Sequence, residues 1–318
     1  MKIKRKILKN KKYFLGLATG FLLALLTLKL IPLLSVKTST INISLPFIAK
    51  RAPTSTPDPK NLEQETTKEV LPDKVNLGIH FGDAITKMIT YGAIDKEKFL
   101  KLYEARGGIS QEEKRLLNEQ SDQETMVTRG NAGLILNLLW PLGIANKTNV
   151  LAEGPMGTKY KKDVGNFAST GGWTVGREGG GKLFNRFSII QLNPEQEAVV
   201  KEIAENIYRP CCGNSTYFPD CNHGAAMLGF IELAVSQGMS KEEIYKKALL
   251  LNSYWFPQTY TELAIYFKTK KSIPWQNVDP KELLGANYSS GQGYRAINKE
   301  LQAEGLLPKV EGGGGCGV

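Results

Sequence analysis

Three of the four cysteines and one of the two histidines in this chain fall between positions 211 and 223. They stand in RPCCGNSTYFPDCNHGAAMLGF, residues 209–230, as Cys211, Cys212, Cys221 and His223. Thiolate sulfur and neutral imidazole are donors that soft metal ions select, copper(I) in particular, with zinc the common alternative. A thiolate is also a nucleophile and a redox centre. The spacing C-C-x8-C-x-H therefore points to a metal held by Cys211, Cys212, Cys221 and His223, or to a thiol enzyme built on Cys221. A third reading has no chemistry. A disulfide from Cys221 to Cys211 or Cys212 would close a short loop, worth roughly 2–3 kcal/mol, and leave a stapled scaffold that binds another envelope protein.

The flanking pattern says how these residues are held. A helix ends near Tyr208, because Pro210 cannot continue it. A second helix begins around Asp220 to Asn222, and Pro219 fixes its approach. Cys221 then sits at a helix N-terminus, where free amides and partial positive charge favour thiolate. Within one helix, residues two apart point about 200° away from each other, so Cys221 and His223 converge only if Cys221 is a cap or precedes it. Met227 lies four residues beyond His223 on the same face. It either adds a thioether to a copper set or fills the core.

The start FPDCNHGAAMLGF resembles, over about ten residues, the DCSG helix start of NlpC/P60-type cell-wall peptidases. That resemblance implies a Cys221 nucleophile with a histidine base. Those enzymes carry the base downstream, on a strand of a small sheet. Here no histidine follows His223, and His80, in NLGIHFGD, is left as a distant base.

Charge excludes one class of partner. The net charge of +10 suggests nucleic acid, but residues 1–50 hold ten Lys or Arg and no acid. The remainder is neutral, so no basic face needs a polyanion. MKIKRKILKNKK, residues 1–12, reads as a cytoplasmic tail. The apolar run at 13–35 spans roughly 35 Å as a helix, enough for a hydrocarbon core of about 30 Å. It is expected to be a signal-anchor with the N-terminus inside and the bulk of the chain extracytoplasmic; a cleaved signal peptide is the rival reading. Residues 36–75, rich in Pro, Thr and charge, are expected to form a flexible spacer.

From 76 to 310 the pattern predicts a mainly α, multi-helix domain. Asp95, Ser110 with Glu113, Asn193 with Pro194, and Ser240 with Glu243 are N-terminal helix signals. Gly92 and Gly238 are C-terminal ones. NAGLILNLLWPLG, apolar all round, reads as a buried core helix. The stripe Ala198, Val199, Ile203, Ile207 is expected to face the core. FSIIQL, 187–192, is the best strand candidate. GREGGGKL, 176–183, has the spacing of a phosphate loop but carries Leu183 where Ser or Thr should reach Mg²⁺. It reads instead as a mobile surface loop or a lid over the cysteine site. The aromatics of NSYWFPQTY, 252–260, are read as packing. The tail 311–318 carries Cys316 after four glycines, a flexible thiol expected either to shuttle metal or disulfide to the cluster or to pair with another chain.

Overall fold

The computed structural model describes residues 58–308. The expected anchor at 13–35 and the tail with Cys316 lie outside the described residues. Among those described, no helix is long and apolar enough to cross a membrane. In chain order the elements are α1 (Pro59–Val70), β1 (Lys74–Asn76), α2 (Ala84–Tyr91), α3 (Lys96–Glu104), α4 (Gln111–Leu116) and β2 (Met126–Thr128). There follow α5 (Ala132–Ala145), α6 (Asn149–Glu153), a 3₁₀ turn (Lys161–Asn166), α7 (Gly180–Leu183), α8 (Pro194–Asn206) and α9 (Asn222–Ser236). The last elements are α10 (Lys241–Trp255), α11 (Pro257–Lys270), a 3₁₀ turn (Trp275–Asn277), α12 (Pro280–Leu283), α13 (Ala286–Ser289) and α14 (Gly291–Ala303).

Local chemistry sets most of these boundaries. Asp95 accepts from the amides of Glu97 and Lys98 at the start of α3. Ser110 and Glu113 close a capping box on α4, and Asn193 and Gln196 close one on α8. Ser240 accepts from the Glu243 amide. Gly92 ends α2 with φ 80°, and Gly238 follows α9 with φ 77°. Those values favour the residue without a Cβ.

The core is built around α5 and α9, both largely buried on every side. They cross with their backbones almost touching. A Cβ on Gly143 would lie 1.8 Å from the Ala225 carbonyl oxygen, and one on Gly229 would lie 2.4 Å from that of Leu139. No side chain larger than hydrogen fits either position. The remaining helices add apolar faces around this pair, including Val200, Ile203, Ala204 and Ile207 at α8. Of the expected α8 stripe, Val199, Ile203 and Ile207 meet the core, whereas Ala198 is exposed and Val200 is buried instead.

Three further expectations change. The spacer is ordered from α1 onward, because Leu62, Thr66 and Val70 present a buried stripe that packs on α11. FSIIQL is not a strand. Phe187 makes a single parallel bridge to Asn146, and the amides of Ile189 and Ile190 both donate to the Asn146 side-chain oxygen. The strands are instead β1 and β2, three residues each, paired antiparallel with Val75 opposite Val127. The segment leading into the glycine-rich loop is packed, while residues 177–179 are exposed. Ser169, Thr170 and Trp173 are buried, Trp173 donates to the Ala93 carbonyl, and the Val175 carbonyl accepts from the Asp95 amide.

One carboxyl is buried where α9 passes the C-terminal end of α5. Glu232 is fully buried; one oxygen accepts from Asn146 at 3.0 Å and the other has no partner. Burial pushes its pKa well above the ordinary value. The unfolded chain releases this proton from about pH 4.3, while the folded chain retains it, so stability falls as pH rises from there toward the folded value. Glu232→Gln is expected to match the parent near about pH 4 and to exceed it by at least about 1.4 kcal/mol near about pH 7. Urea denaturation at the two pH values measures this.

Candidate functional site

The site is assembled by the loop between α8 and α9. Tyr208 pairs antiparallel with Ser215, and the Thr216 amide and hydroxyl both donate to the Ile207 carbonyl. This hairpin folds the Cys211–Cys212 pair back toward the start of α9. Outside contacts hold it. Asn252 donates to the Tyr208 carbonyl at 3.1 Å, and the Gly291 amide, opening α14, donates to the Cys212 carbonyl at 2.7 Å.

Arg209 locks the loop from within. Its side chain is 1% exposed. Nε donates to Cys221 Sγ at 3.1 Å and Nη1 to the Asn214 carbonyl at 3.0 Å. Nη2 donates to the Phe218 carbonyl at 2.9 Å and to Asp220 Oδ1 at 2.5 Å. The second Asp220 oxygen accepts from Asn214 Nδ2 at 2.9 Å. A buried guanidinium is tolerated only when paired and hydrogen-bonded in this way. Gly224 is part of the fit: a Cβ there would lie 2.5 Å from Arg209 Cζ. The guanidinium therefore lies against the first turn of α9.

Cys221 is itself the N-cap. Its backbone is extended, φ −117° and ψ 165°, and its sulfur accepts from the Gly224 amide at 3.4 Å. The condition for Cys221 and His223 to converge is thereby met. Cys211 Sγ lies 3.4 Å from Cys221 Sγ. An imidazole nitrogen of His223 lies within 4.8 Å of both sulfurs. His223 is 4% exposed, and its Nδ1 is buried without a hydrogen-bond partner. Its ring packs against Phe256, centroids 4.4 Å apart, and Trp255, 5.9 Å apart. The aromatics read as packing thus also wall the site. Cys212 is not grouped with His223. Its sulfur is 3.8 Å from Asp220 Oδ1, and it forms a second close group with Asp220 and Cys221. All three cysteines are free thiols, Cys211 exposed and the other two half-buried.

Their protonation differs. Donation from the Cys211 thiol, then from Cys212, holds Cys221 well below the ordinary thiol range; burial opposes this and the Arg209 guanidinium reinforces it. Cys211 moves up, chiefly through its bonds to Cys212 and Cys221. Cys212 is drawn down by Cys211, but the bond to Cys221 and burial outweigh that and leave it at about 11. These directions favour the thiolate at Cys221 and the thiol at Cys211 and Cys212.

Other candidates lie elsewhere. Met227 is buried in the core, about 6 Å further along α9 than His223. The His80 backbone exchanges hydrogen bonds with the Gln237 side chain at the C-terminal end of α9. That is about 24 Å from the Cys221 cap, so His80 is no base for Cys221 and the peptidase-like dyad does not form. Its ring lies 3.8 Å from Asp122. Arg209 and Asp220 were absent from the predicted site. The one sequence cue to Arg209 was its position between a helix end and Pro210. The chain matches no family model, no curated protein and no solved structure, so its function is argued from this chemistry.

The thiolate assignment is open to direct measurement. Thiolate ultraviolet absorbance is expected to persist as the pH is lowered to about 6, well below the ordinary thiol value of about 8.5. Cys221→Ser should abolish that signal and Cys212→Ser should leave it. Loss of the signal in Cys212→Ser alone would place the thiolate at the wrong sulfur.

Proposed function

We propose that this protein binds one copper(I) ion through Cys211, Cys221 and His223, and carries it at the outer face of a membrane to which residues 13–35 tether it. The observation that carries the reading is an imidazole nitrogen of His223 within 4.8 Å of two sulfurs, on a buried ring whose Nδ1 has no hydrogen-bond partner. A buried polar atom without a partner is costly, and a metal ion is one way to satisfy it. The donor set argues for copper(I) over zinc. Structural zinc takes four ligands, whereas Cys212 and Asp220 group with Cys221 and not with His223. Two soft sulfurs and one imidazole suit a monovalent soft ion.

Charge agrees with that choice. Hydrogen bonds and the Arg209 guanidinium favour the charged form of Cys221, and Arg209 and Asp220 offset each other. Uptake of copper(I) with release of the Cys211 proton exchanges one unit of positive charge for another. A carrier role, rather than a purely structural metal, is supported by the exposure of Cys211. It leaves the ion within reach of an incoming ligand. The second donor group of Cys212, Asp220 and Cys221 shares a sulfur with the first and offers a neighbouring position for stepwise exchange.

Anaerobic titration of the full chain with copper(I), against a competing chelator, tests the reading. One ion per chain is expected, with a thermal stabilisation of about 2.7 kcal/mol at a hundredfold excess over Kd. Cys211→Ser, Cys221→Ser and His223→Ala should each weaken binding by at least about tenfold, one ligand's worth of about 1.4 kcal/mol or more. Cys212→Ser should weaken it far less. Circular dichroism separates loss of ligand from loss of fold. Uptake below about a tenth of an equivalent by the folded parent protein would overturn the copper reading.

A further inference from the structure

The same loop carries a second arrangement that a metal site does not need. Cys211 and Cys221 have their sulfurs 3.4 Å apart, so formation of a bond of about 2.05 Å asks for a small approach. The two sulfurs are not equivalent. Cys211 is exposed, and Cys221 is half-buried under the Arg209 guanidinium. Nε of Arg209 and the Gly224 amide both donate to Cys221 Sγ. These bonds are strong when the sulfur is a thiolate, because the guanidinium is charged, and weak when it is half of a disulfide. The dithiol state is therefore stabilised over the disulfide. A disulfide whose reduced form is so stabilised is a strong oxidant.

We propose that Cys211 and Cys221 form an oxidising disulfide pair that accepts electrons from cysteine dithiols of other polypeptides, with Cys211 the attacked sulfur and Cys221 the leaving group. An incoming thiolate attacks Cys211 Sγ, the sulfur open to solvent. The Cys211–Cys221 bond breaks, and its electron pair leaves on Cys221, where Arg209 and the Gly224 amide hold it. The product is a mixed disulfide between Cys211 and the substrate. The second thiolate of the substrate attacks its own half of that bond and forms the substrate disulfide. Cys211 leaves and takes up a proton from solvent. Two electrons pass from the substrate dithiol to the pair. An external disulfide, such as oxidised glutathione, regenerates it by the reverse exchange. Arg209 acts here as a positioning residue, through the charge it sets beside Cys221.

This proposal does not need His223, whereas the copper reading does, and the two separate on that residue. The full chain, with metal chelated, is equilibrated in glutathione redox buffers and its thiols are trapped in acid for mass mapping. A 211–221 disulfide is expected, with an equilibrium constant at least about tenfold more reducible than in Arg209→Lys, equivalent to about 30 mV for a two-electron couple. His223→Ala should shift it less than about twofold while still losing copper affinity. Absence of a 211–221 disulfide at every buffer ratio, or an unchanged constant in folded Arg209→Lys, would overturn the proposal. Should Arg209→Lys not fold, the parent protein alone decides. Brief exposure of its disulfide to glutathione before acid quenching should place the adduct on Cys211, and an adduct on Cys221 would overturn the proposal.

Discussion

A single buried guanidinium holds the site together. Arg209 joins the loop carbonyls of Asn214 and Phe218, the Asp220 carboxylate and the Cys221 sulfur, all through one planar group. Such a fork has five donors and no acceptor, so each contact is directional. Burying it is expensive, and removing any one partner would leave charge or donors unmatched in a poorly solvated place. The loop consequently has little freedom to choose another path. The thiol pair after Pro210 is brought to the α9 N-terminus by the need to satisfy Arg209, and not by a bond between cysteines.

The helix that receives this loop is equally constrained. α9 packs against α5 with Gly143 and Gly229 at the crossing, and neither position admits a Cβ. Its opening turn is shaped by Gly224, which makes room for the guanidinium. The Cys221 cap and the inward-facing His223 follow from where α9 must start. Asp220 is tied on the far side as well, since its carbonyl accepts from the Ser169 amide of the glycine-rich segment. That segment, with Trp140 donating to the Ser169 carbonyl, is a packed wall behind the site. Rigid surroundings of this kind suit both a ligand set and a charge-stabilised thiolate, because neither has to reorganise on binding or reaction.

Helix punctuation was largely legible in the sequence, because caps act within four residues and carry their own chemistry. Asp95, Ser110 and Asn193 behave as their types require. The cysteine–histidine cluster was legible from rarity and spacing, and the requirement that Cys221 cap the helix followed from helical geometry alone. What was hidden depended on distant partners. α1 looked like spacer because its stripe of Leu62, Thr66 and Val70 has meaning only against α11. The glycine-rich segment looked mobile because its buried Trp173 indole and Ser169 backbone are satisfied by Ala93, Trp140 and Asp220, far away in sequence. Arg209 was hidden for the same reason: an arginine in a loop ordinarily points to solvent, and only the fold reveals four partners converging on it. His80 and His223 are indistinguishable by composition, yet they lie at opposite ends of α9.

A copper carrier requires Cys211, Cys221 and His223 to act as one ligand set. X-ray absorption at the copper edge of the copper(I)-loaded full chain reads that set directly. Two sulfur neighbours and one nitrogen neighbour are predicted, with the nitrogen lost in His223→Ala. A first shell of sulfur alone, or of light atoms alone, would contradict it.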